Sequence, residues 1–436
     1  MLLLKVVIAQ KPREIALQIL HRHTGGDFVE TLLDSALARI QFSSADRRLC
    51  QELLYGVIRW QATLDWIITS RTEDRTQKPL LQNLLRLGLY QIFWLDRIPN
   101  HAAVYETVEL AKQHGFHSQA GFVNALLRGC LREFDPLSQT LAALKKTQPA
   151  LGYSHPEWLV TRWLSRWGND KTAQLMEWNN TPPSTFARVN TLKADPGKLL
   201  AQWRDENVEY DFVRRDWLEE NLVFLLKSHP PLARLPSFQQ GLFYVQDPGT
   251  LLAVAEFAPQ PGESVLDLCA APGGKLSHIA QCMRNEGEIV AHDVAPERLK
   301  LVEENCARLG ITCVRTALPS TLISQPATAF DRVLLDAPCS NTGVMRRRVN
   351  LRWRIRPEEI ERLRFAQLEL LRTAASLVKP GGTLVYSTCS LEPEENRELI
   401  KQFLGEHTGF KAEHERELLP FVDAVDGAYV ARLRRQ

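Results

Sequence analysis

The chain has 436 residues, of which 44% are apolar and 24% charged, and its net charge at neutral pH is +2. That length exceeds one ordinary core and predicts two or three domains, while the composition is that of a soluble globular protein and not of a disordered or membrane one. A total charge so near zero gives no general pull toward nucleic acid, so any such preference must lie in local patches.

The first nine residues, Met1 to Ala9, are apolar but interrupted by Lys5. They lack the length and cleavage site of a signal peptide, and no later run is long enough to span a membrane. Residues 13 to about 134 carry apolar side chains at three- and four-residue spacing with few glycines, as in Asp46–Trp60 and Leu80–Leu95. This predicts an all-helical domain over 1–140. Ser43, Ser44 and Asp46 stand before the Arg47–Trp60 pattern as cap residues, and Pro99 ends a helix before another begins near Ala102.

Between 150 and 240 the character changes. Short runs, Thr185–Asn190 and Leu222–Leu226, alternate with turn-prone stretches containing Pro182, Pro183, Pro230 and Pro231. They predict a small mixed α/β subdomain. Over 241–436, strand patterns at Ser264–Leu268, Glu288–His292, Asp331–Leu335 and Thr383–Ser387 alternate with amphipathic helices at Glu297–Leu309 and Glu358–Val378. Such alternation predicts an α/β domain with a mostly parallel sheet and helices on both faces.

In a parallel sheet, ligands bind beyond the carboxyl ends of the strands. The unusual residues of this half collect there: Cys269-Ala270-Ala271-Pro272-Gly273-Gly274-Lys275 after the first strand, Asp293 after the second, Asp336 to Cys339 after another and Thr388 to Ser390 after another. Gly273 and Gly274 allow a ligand to approach the backbone closely. The turn does not match G-x-G-x-x-G, which argues against a dinucleotide, whereas Asp293 suits the ribose hydroxyls of an adenosyl group.

Of the eight cysteines, Cys269, Cys282, Cys306 and Cys313 show no C-x-x-C pairing. Neither a metal site nor a disulfide framework is expected, and a reducing cytoplasm fits. Cys339 and Cys389 differ in standing just past strand ends. Carbon 5 of cytosine is a poor nucleophile until a thiolate adds at carbon 6. That route needs a thiolate, a hydrogen-bonding acid at ring nitrogen 3 and a base for the carbon 5 proton. Cys389, Asp336 and Cys339 supply those residue types. For Cys282, Cys306 and Cys313 the plain reading, buried small apolar side chains, is preferred.

The segments Asp267 to Lys275, Leu335-Asp-Ala-Pro-Cys-Ser340 and Tyr386-Ser-Thr-Cys-Ser390 resemble the motifs of the RNA 5-methylcytosine methyltransferases, the family that includes the bacterial small-subunit rRNA enzymes. Arg188-Val-Asn-Thr-Leu192, Val245-Gln-Asp247 and Asp426 to Arg432 extend the likeness, and Asp46 to Arg59 with Phe122 to Arg128 resemble a NusB-like RNA-binding domain. The resemblance implies a helical RNA-binding start, a Rossmann-like methyltransferase end and S-adenosylmethionine as cofactor. It implies Cys389 as nucleophile, Cys339 as the thiol assisting release, Asp336 near the cytosine and the methionine part of the cofactor, and Lys275 orienting either Asp336 or the base. The substrate it implies is a single-stranded or flipped cytosine in 16S rRNA.

Three positions depart from the family pattern. Ala317 stands near the place of an aspartate that touches adenine, Asn341 replaces a glycine, and Arg346-Arg347-Arg348-Val-Asn-Leu-Arg-Trp353 replaces Arg-Arg-His-Pro-Asp. Arg346, Arg347 and Arg348, with Arg352, Arg354 and Arg356, form the densest basic stretch and are candidates to grip RNA phosphates. Arg59, Arg128 and Arg132 are weaker candidates. A single chain without metal or membrane partner is expected. Two alternatives stay open: the same chemistry on tRNA or large-subunit rRNA, and a catalytically weak RNA-binding or antitermination factor.

Overall fold

A computed structural model describes residues 11–23, 29–38, 40, 42–73, 75–318 and 330–436. The apolar N-terminal stretch lies outside them. The chain forms two compact units: residues up to Thr181 together with Arg348–Arg354, and Pro182–Arg347 together with Ile355–Gln436.

The first unit is helical, with helices Pro12–His23, Val29–Leu37, Ser44–Arg59, Gln61–Thr69, Pro79–Trp94, Asn100–Gln113, Ala120–Arg132, Phe134–Thr147 and Glu157–Asn180. Their apolar stripes meet in one core that includes Leu53, Leu84, Leu85 and Leu127. Ser43 starts its helix by accepting a hydrogen bond from the Asp46 backbone N–H at 3.1 Å and donating to the Asp46 carboxylate at 2.6 Å, a cap worth about 1 kcal/mol. Helix continues well past residue 140. The helix Glu157–Asn180 holds Trp158, Trp163, Trp167 and Trp178 and is kinked at Gly168, where φ is 74°. Bulky aromatics and a mid-helix glycine blur the 3.6-residue period that would have revealed it.

The same unit takes in a piece of chain from the far half. Arg352 has no solvent exposure. It donates to the backbone oxygens of Arg59, Ser154 and Asn179 at 3.2, 3.1 and 2.9 Å and to Asn180 Oδ1 at 2.8 Å. The Trp353 indole N–H donates to Ile58 O at 2.8 Å, and Val349 joins the core.

The second unit begins with a four-stranded antiparallel sheet of β1 (Thr185–Val189), β2 (Glu209–Phe212), β3 (Val223–Ser228) and β4 (Phe243–Val245), in the order β2-β3-β1-β4. The helix Pro196–Asp205 covers it through Leu199 and the fully buried Trp203. A seven-stranded sheet follows: β5 (Ser264–Asp267), β6 (Glu288–His292), β7 (Val314–Ala317), β8 (Phe330–Asp336), β9 (Val378–Thr388), β10 (Phe410–Leu418) and β11 (Ala428–Arg435). Its order is β10-β11-β9-β8-β5-β6-β7, parallel from β9 to β7, with β11 and β10 antiparallel at the edge. Chain order reverses between β5 and β8, which opens a crevice beyond their carboxyl ends.

Candidate active site

Asp336 pairs with Ser387 at the carboxyl ends of β8 and β9, and the Ala337 N–H donates to Ser387 O at 2.8 Å. Both strands therefore leave the sheet at the same rim. The turns that follow bring the Sγ atoms of Cys339 and Cys389 to 3.3 Å. Cys339 is buried and Cys389 partly exposed. The hydrogen bond to Cys389, burial, and the negative charge available on Cys389 and Glu395 push the Cys339 thiol well above its usual range.

Asn341 locks the pair. Its backbone is left-handed, at φ 59°, a conformation that asparagine tolerates better than most residues other than glycine. Its Nδ2 donates to Cys339 O at 2.6 Å, and its Oδ1 accepts from the Cys389 thiol at 3.0 Å. Gly343 allows the next close approach: its N–H donates to Cys389 O at 2.9 Å, and a Cβ there would lie 2.8 Å from that oxygen.

Asp336 accepts from Lys275 Nζ at 2.6 Å and from the Ser387 hydroxyl at 2.8 Å. Burial works against the Lys275 charge, but the Asp336 carboxylate, with Cys389 and Asp267 behind it, outweighs burial and holds this lysine above its ordinary value. Asp267, the last residue of β5, is buried, and its Oδ1 has no hydrogen-bond partner among the described residues. Burial, then repulsion from Asp336, raises its carboxyl to about 7.

The turn from Cys269 to Lys275 is held from several sides. The Ala270 N–H donates to His292 O at 2.8 Å, Arg298 donates to Ala271 O at 2.9 Å, and Asn305 donates to Pro272 O at 3.0 Å. Gly273 takes φ 100°, a value open to glycine, and Gly274 starts the helix Gly274–Cys282. Arg188, fully buried on β1, donates to Gly274 O at 3.1 Å, Ser277 Oγ at 2.8 Å and Gln246 Oε1 at 2.6 Å. It thus joins the small sheet to the glycine turn. Asp293 is buried at the end of β6, accepts from the Ala295 N–H at 3.2 Å and pairs with Arg298 at 3.1 Å. The next residue, Val294, is 72% exposed. Ala317 ends β7 as a buried apolar residue with no polar side-chain group to offer.

The basic stretch requires correction. Arg346 is buried and pairs with Asp426 at 2.5 Å and Asp247 at 3.6 Å, and Arg347 binds the same two carboxylates. Together they fasten the chain beyond the thiol turn to β4's end and the β10–β11 hairpin, which takes buried Arg346 away from any phosphate and leaves part-buried Arg347 neutralised by carboxylates. Arg352 and Arg59 are buried in the helical unit. Arg348, Arg128 and Arg132 are exposed. A run of arginines reads as a charged surface only while their acidic partners, about 80 and 100 residues away in sequence, are unknown.

Several site residues carried no separate signal in the sequence. Asn341 stood out as a departure, but nothing revealed its contact with Cys389. Ser387, Ser340, Ser390 and Gln367 are ordinary polar residues whose partners come from distant segments. Glu395 lies in an acidic run, Glu392-Pro-Glu-Glu395, that suggests solvent, yet it is fully buried. Among the described residues no cluster of histidine, cysteine, aspartate and glutamate could hold a metal ion, and no helix is long and apolar enough to cross a membrane.

The family model of the 16S rRNA methyltransferases RsmB/F matches residues 254–434, where both thiol turns and the glycine turn lie. A relative in Bacillus subtilis, named Probable ribosomal RNA small subunit methyltransferase B, is 35% identical, with 97% of this chain and 98% of the relative covered. The chain belongs to the RsmB/F methyltransferase family. Relatives named ribosomal RNA small subunit methyltransferase B in Synechocystis (Probable there as well) and Escherichia coli O1:K1 are 37% and 36% identical, covering 92% and 90% of this chain and 90% and 91% of their own lengths. The NusB family model matches residues 10–132, and the ferredoxin-like domain model of these methyltransferases matches 155–223. Among solved structures, PH0851 superposes with a TM-score of 0.77 at 26% identity, covering 98% of this chain and all of that one. A methyltransferase homologue from Pyrococcus horikoshii gives 0.58 at 32% identity, covering 66% and 97%. The NusB-like start and Rossmann-like methyltransferase end that the sequence resembles are therefore this family member's architecture.

Proposed function

We propose that this chain transfers a methyl group from S-adenosylmethionine to carbon 5 of a cytosine in 16S rRNA through a covalent adduct on Cys389. The observation that carries the reading is the meeting of two thiols 3.3 Å apart with the Lys275–Asp336 pair at one rim. A scaffold or antitermination factor has no need of that combination.

The residues present fit the cofactor. The glycine turn offers close backbone approach, Asp293 is a buried carboxylate at the end of β6, and Val294 beside it is an exposed apolar contact for a flat base. The orphan Oδ1 of Asp267 is an acceptor in want of a donor, such as the ammonium of an amino acid. S-adenosylmethionine supplies its methyl group as an electrophile on a sulfonium. Cys269 to Lys275, Asp293 and Asp336 would hold it, with the adenine edge near Ala317 served by backbone.

The chain's own groups perform the rest. The Cys389 thiolate forms a bond to cytosine carbon 6, and the electron pair of the 5,6 double bond moves onto carbon 5 while ring nitrogen 3 takes a proton that the Lys275 ammonium supplies through the Asp336 carboxyl, to be returned when the double bond re-forms. Lys275 keeps Asp336 oriented. After methylation a base removes the carbon 5 proton, the double bond re-forms, and the bond from Cys389 to carbon 6 breaks, with Cys339 alongside to assist release. Only an unstacked cytosine can meet a thiol at this rim.

Trapping tests the reading. The protein with S-adenosylmethionine and small-subunit rRNA carrying 5-fluorocytosine should give a denaturation-resistant adduct, because fluorine cannot leave as a proton. Cys389→Ala should abolish it while cofactor binding survives. Loss only in Cys339→Ala would reverse the thiol roles. An adduct on tRNA and not on rRNA would move the substrate.

A further inference from the structure

Two thiols 3.3 Å apart are interchangeable unless something makes them unequal. Beneath them lies Glu395, with no solvent exposure. Its Oε1 accepts from the Ser340 N–H and from Gln367 Nε2, both at 2.8 Å. Its Oε2 accepts from the hydroxyls of Ser340 and Ser390. Ser340 directly follows Cys339, Ser390 directly follows Cys389, and the two hydroxyl oxygens are 2.9 Å apart. Gln367, also fully buried, reaches on to Pro338 O at 3.0 Å. On the other side Asn396 accepts from the Thr388 hydroxyl at 2.6 Å and donates to Ser390 O at 2.8 Å. The turns on both sides of the thiol pair thus converge on one residue.

Among the described residues, Glu395 has these four donors, and none of them is a cation. A carboxylate buried without a counter-ion is costly to keep, and two serine hydroxyls can pair with each other without one. Resting on Cys389 as the nucleophile, we infer that Glu395 is a positioning residue for the thiol pair: it ties both cysteine turns to one buried anion, and its charge beside Cys339 keeps that thiol neutral, leaving Cys389 as the one that attacks. Among the described residues, the titratable groups acting on Cys339 include the Cys389 thiol, Glu395 and the Tyr386 phenol, whose hydroxyl donates to the Glu395 backbone oxygen at 2.7 Å, while the Lys275–Asp336 pair acts on the neighbouring Cys389 and Tyr386. Glu395 adds to the upward push on Cys339 from the Cys389 hydrogen bond and burial, while the backbone contact at Asn341 opposes it. A carboxylate fits the position better than an amide of equal size, because only a carboxylate accepts from four donors at once without offering one.

The test separates charge from shape. Glu395→Gln keeps the side chain's size and removes the charge, while Glu395→Asp keeps the charge and loses reach. The pH midpoint of iodoacetamide labelling is read separately on the Cys339 and Cys389 peptides by mass spectrometry in the full chain. In Glu395→Gln the Cys339 midpoint should fall by about one pH unit, raising its labelling near neutral pH on the order of tenfold. In Glu395→Asp it should stay near that of wild type. An unchanged Cys339 midpoint in Glu395→Gln, or equal shifts in both variants, overturns the inference. Should Glu395→Gln fail to fold, the wild type still decides: Cys389 must label at lower pH than Cys339, and the reverse order refutes it. The fluorocytosine adduct on wild type keeps the two claims apart. An adduct on Cys389 with no Glu395 effect sinks this inference alone, whereas an adduct absent from Cys389 sinks the nucleophile assignment.

Discussion

Asp267→Asn should make the protein more stable and a poorer enzyme, and the stability gain should depend on pH in a defined way. Asp267 is 1% exposed, has one orphan oxygen and is held near pH 7 against an ordinary 3.8. The folded state therefore binds the Asp267 proton more tightly than the unfolded chain does. Stability from that proton is fully present below about pH 4 and is lost as pH rises through about 7. Carried over the whole interval, the ionised carboxylate costs roughly 4 kcal/mol above pH 7, and between pH 5 and pH 8 it costs about 3 kcal/mol. Asparagine has the same shape and does not titrate. The stability of Asp267→Asn relative to wild type, measured by urea unfolding, should therefore rise by about 3 kcal/mol from pH 5 to pH 8. Comparing the difference at two pH values cancels the fixed cost of placing an amide there. Cofactor affinity, followed by calorimetry at pH 8, should fall about tenfold or more, as the loss of one charge-assisted hydrogen bond implies. A variant whose relative stability is the same at both pH values would refute the assignment of a strained buried carboxyl to this position. On the proposed function, the ammonium of the cofactor would satisfy the charge that the fold leaves without a donor.

Lys275→Met removes the cation 2.6 Å from Asp336, and turnover should drop about a hundredfold or more, read as methyl incorporation into rRNA. Asp426→Asn halves the carboxylate pair that holds buried Arg346 and half-buried Arg347 and should cost about 3 kcal/mol in chemical denaturation. Arg348→Ala takes away an exposed charge and should weaken rRNA binding uniformly, lowering the slope of log affinity against log salt by about 1. Unchanged slopes in filter binding would remove Arg348 from the RNA surface. At Asn341, alanine must adopt φ 59° with a Cβ, so Asn341→Ala should be about 1 kcal/mol less stable than Asn341→Gly by thermal unfolding.

Local patterns were enough to place most of the architecture. The buried strands β5, β6, β8 and β9 are short apolar runs between helices whose apolar residues recur every three or four positions, and those periods survive in the structure. Edge strand β10 was hidden because its sequence, Phe-Lys-Ala-Glu-His-Glu-Arg-Glu-Leu, is largely charged and only partly buried, as an edge strand can be. The cysteines, Asp336 and the glycine turn were legible because each follows a strand end, where side chains of unusual type have no packing reason to collect.

Partnership, by contrast, was decided only by the tertiary structure. Arg346, Arg347 and Arg352 look alike in the sequence, yet two of them neutralise Asp247 and Asp426 and the third caps backbone carbonyls in the helical unit. Glu395 looks like surface charge and is the most enclosed carboxylate beside the thiols. The physical reason is the same in each case. Periodicity and propensity are set by neighbours within a few residues, whereas burial of a charge depends on groups that long-range folding delivers, and those separations leave no trace in a local pattern.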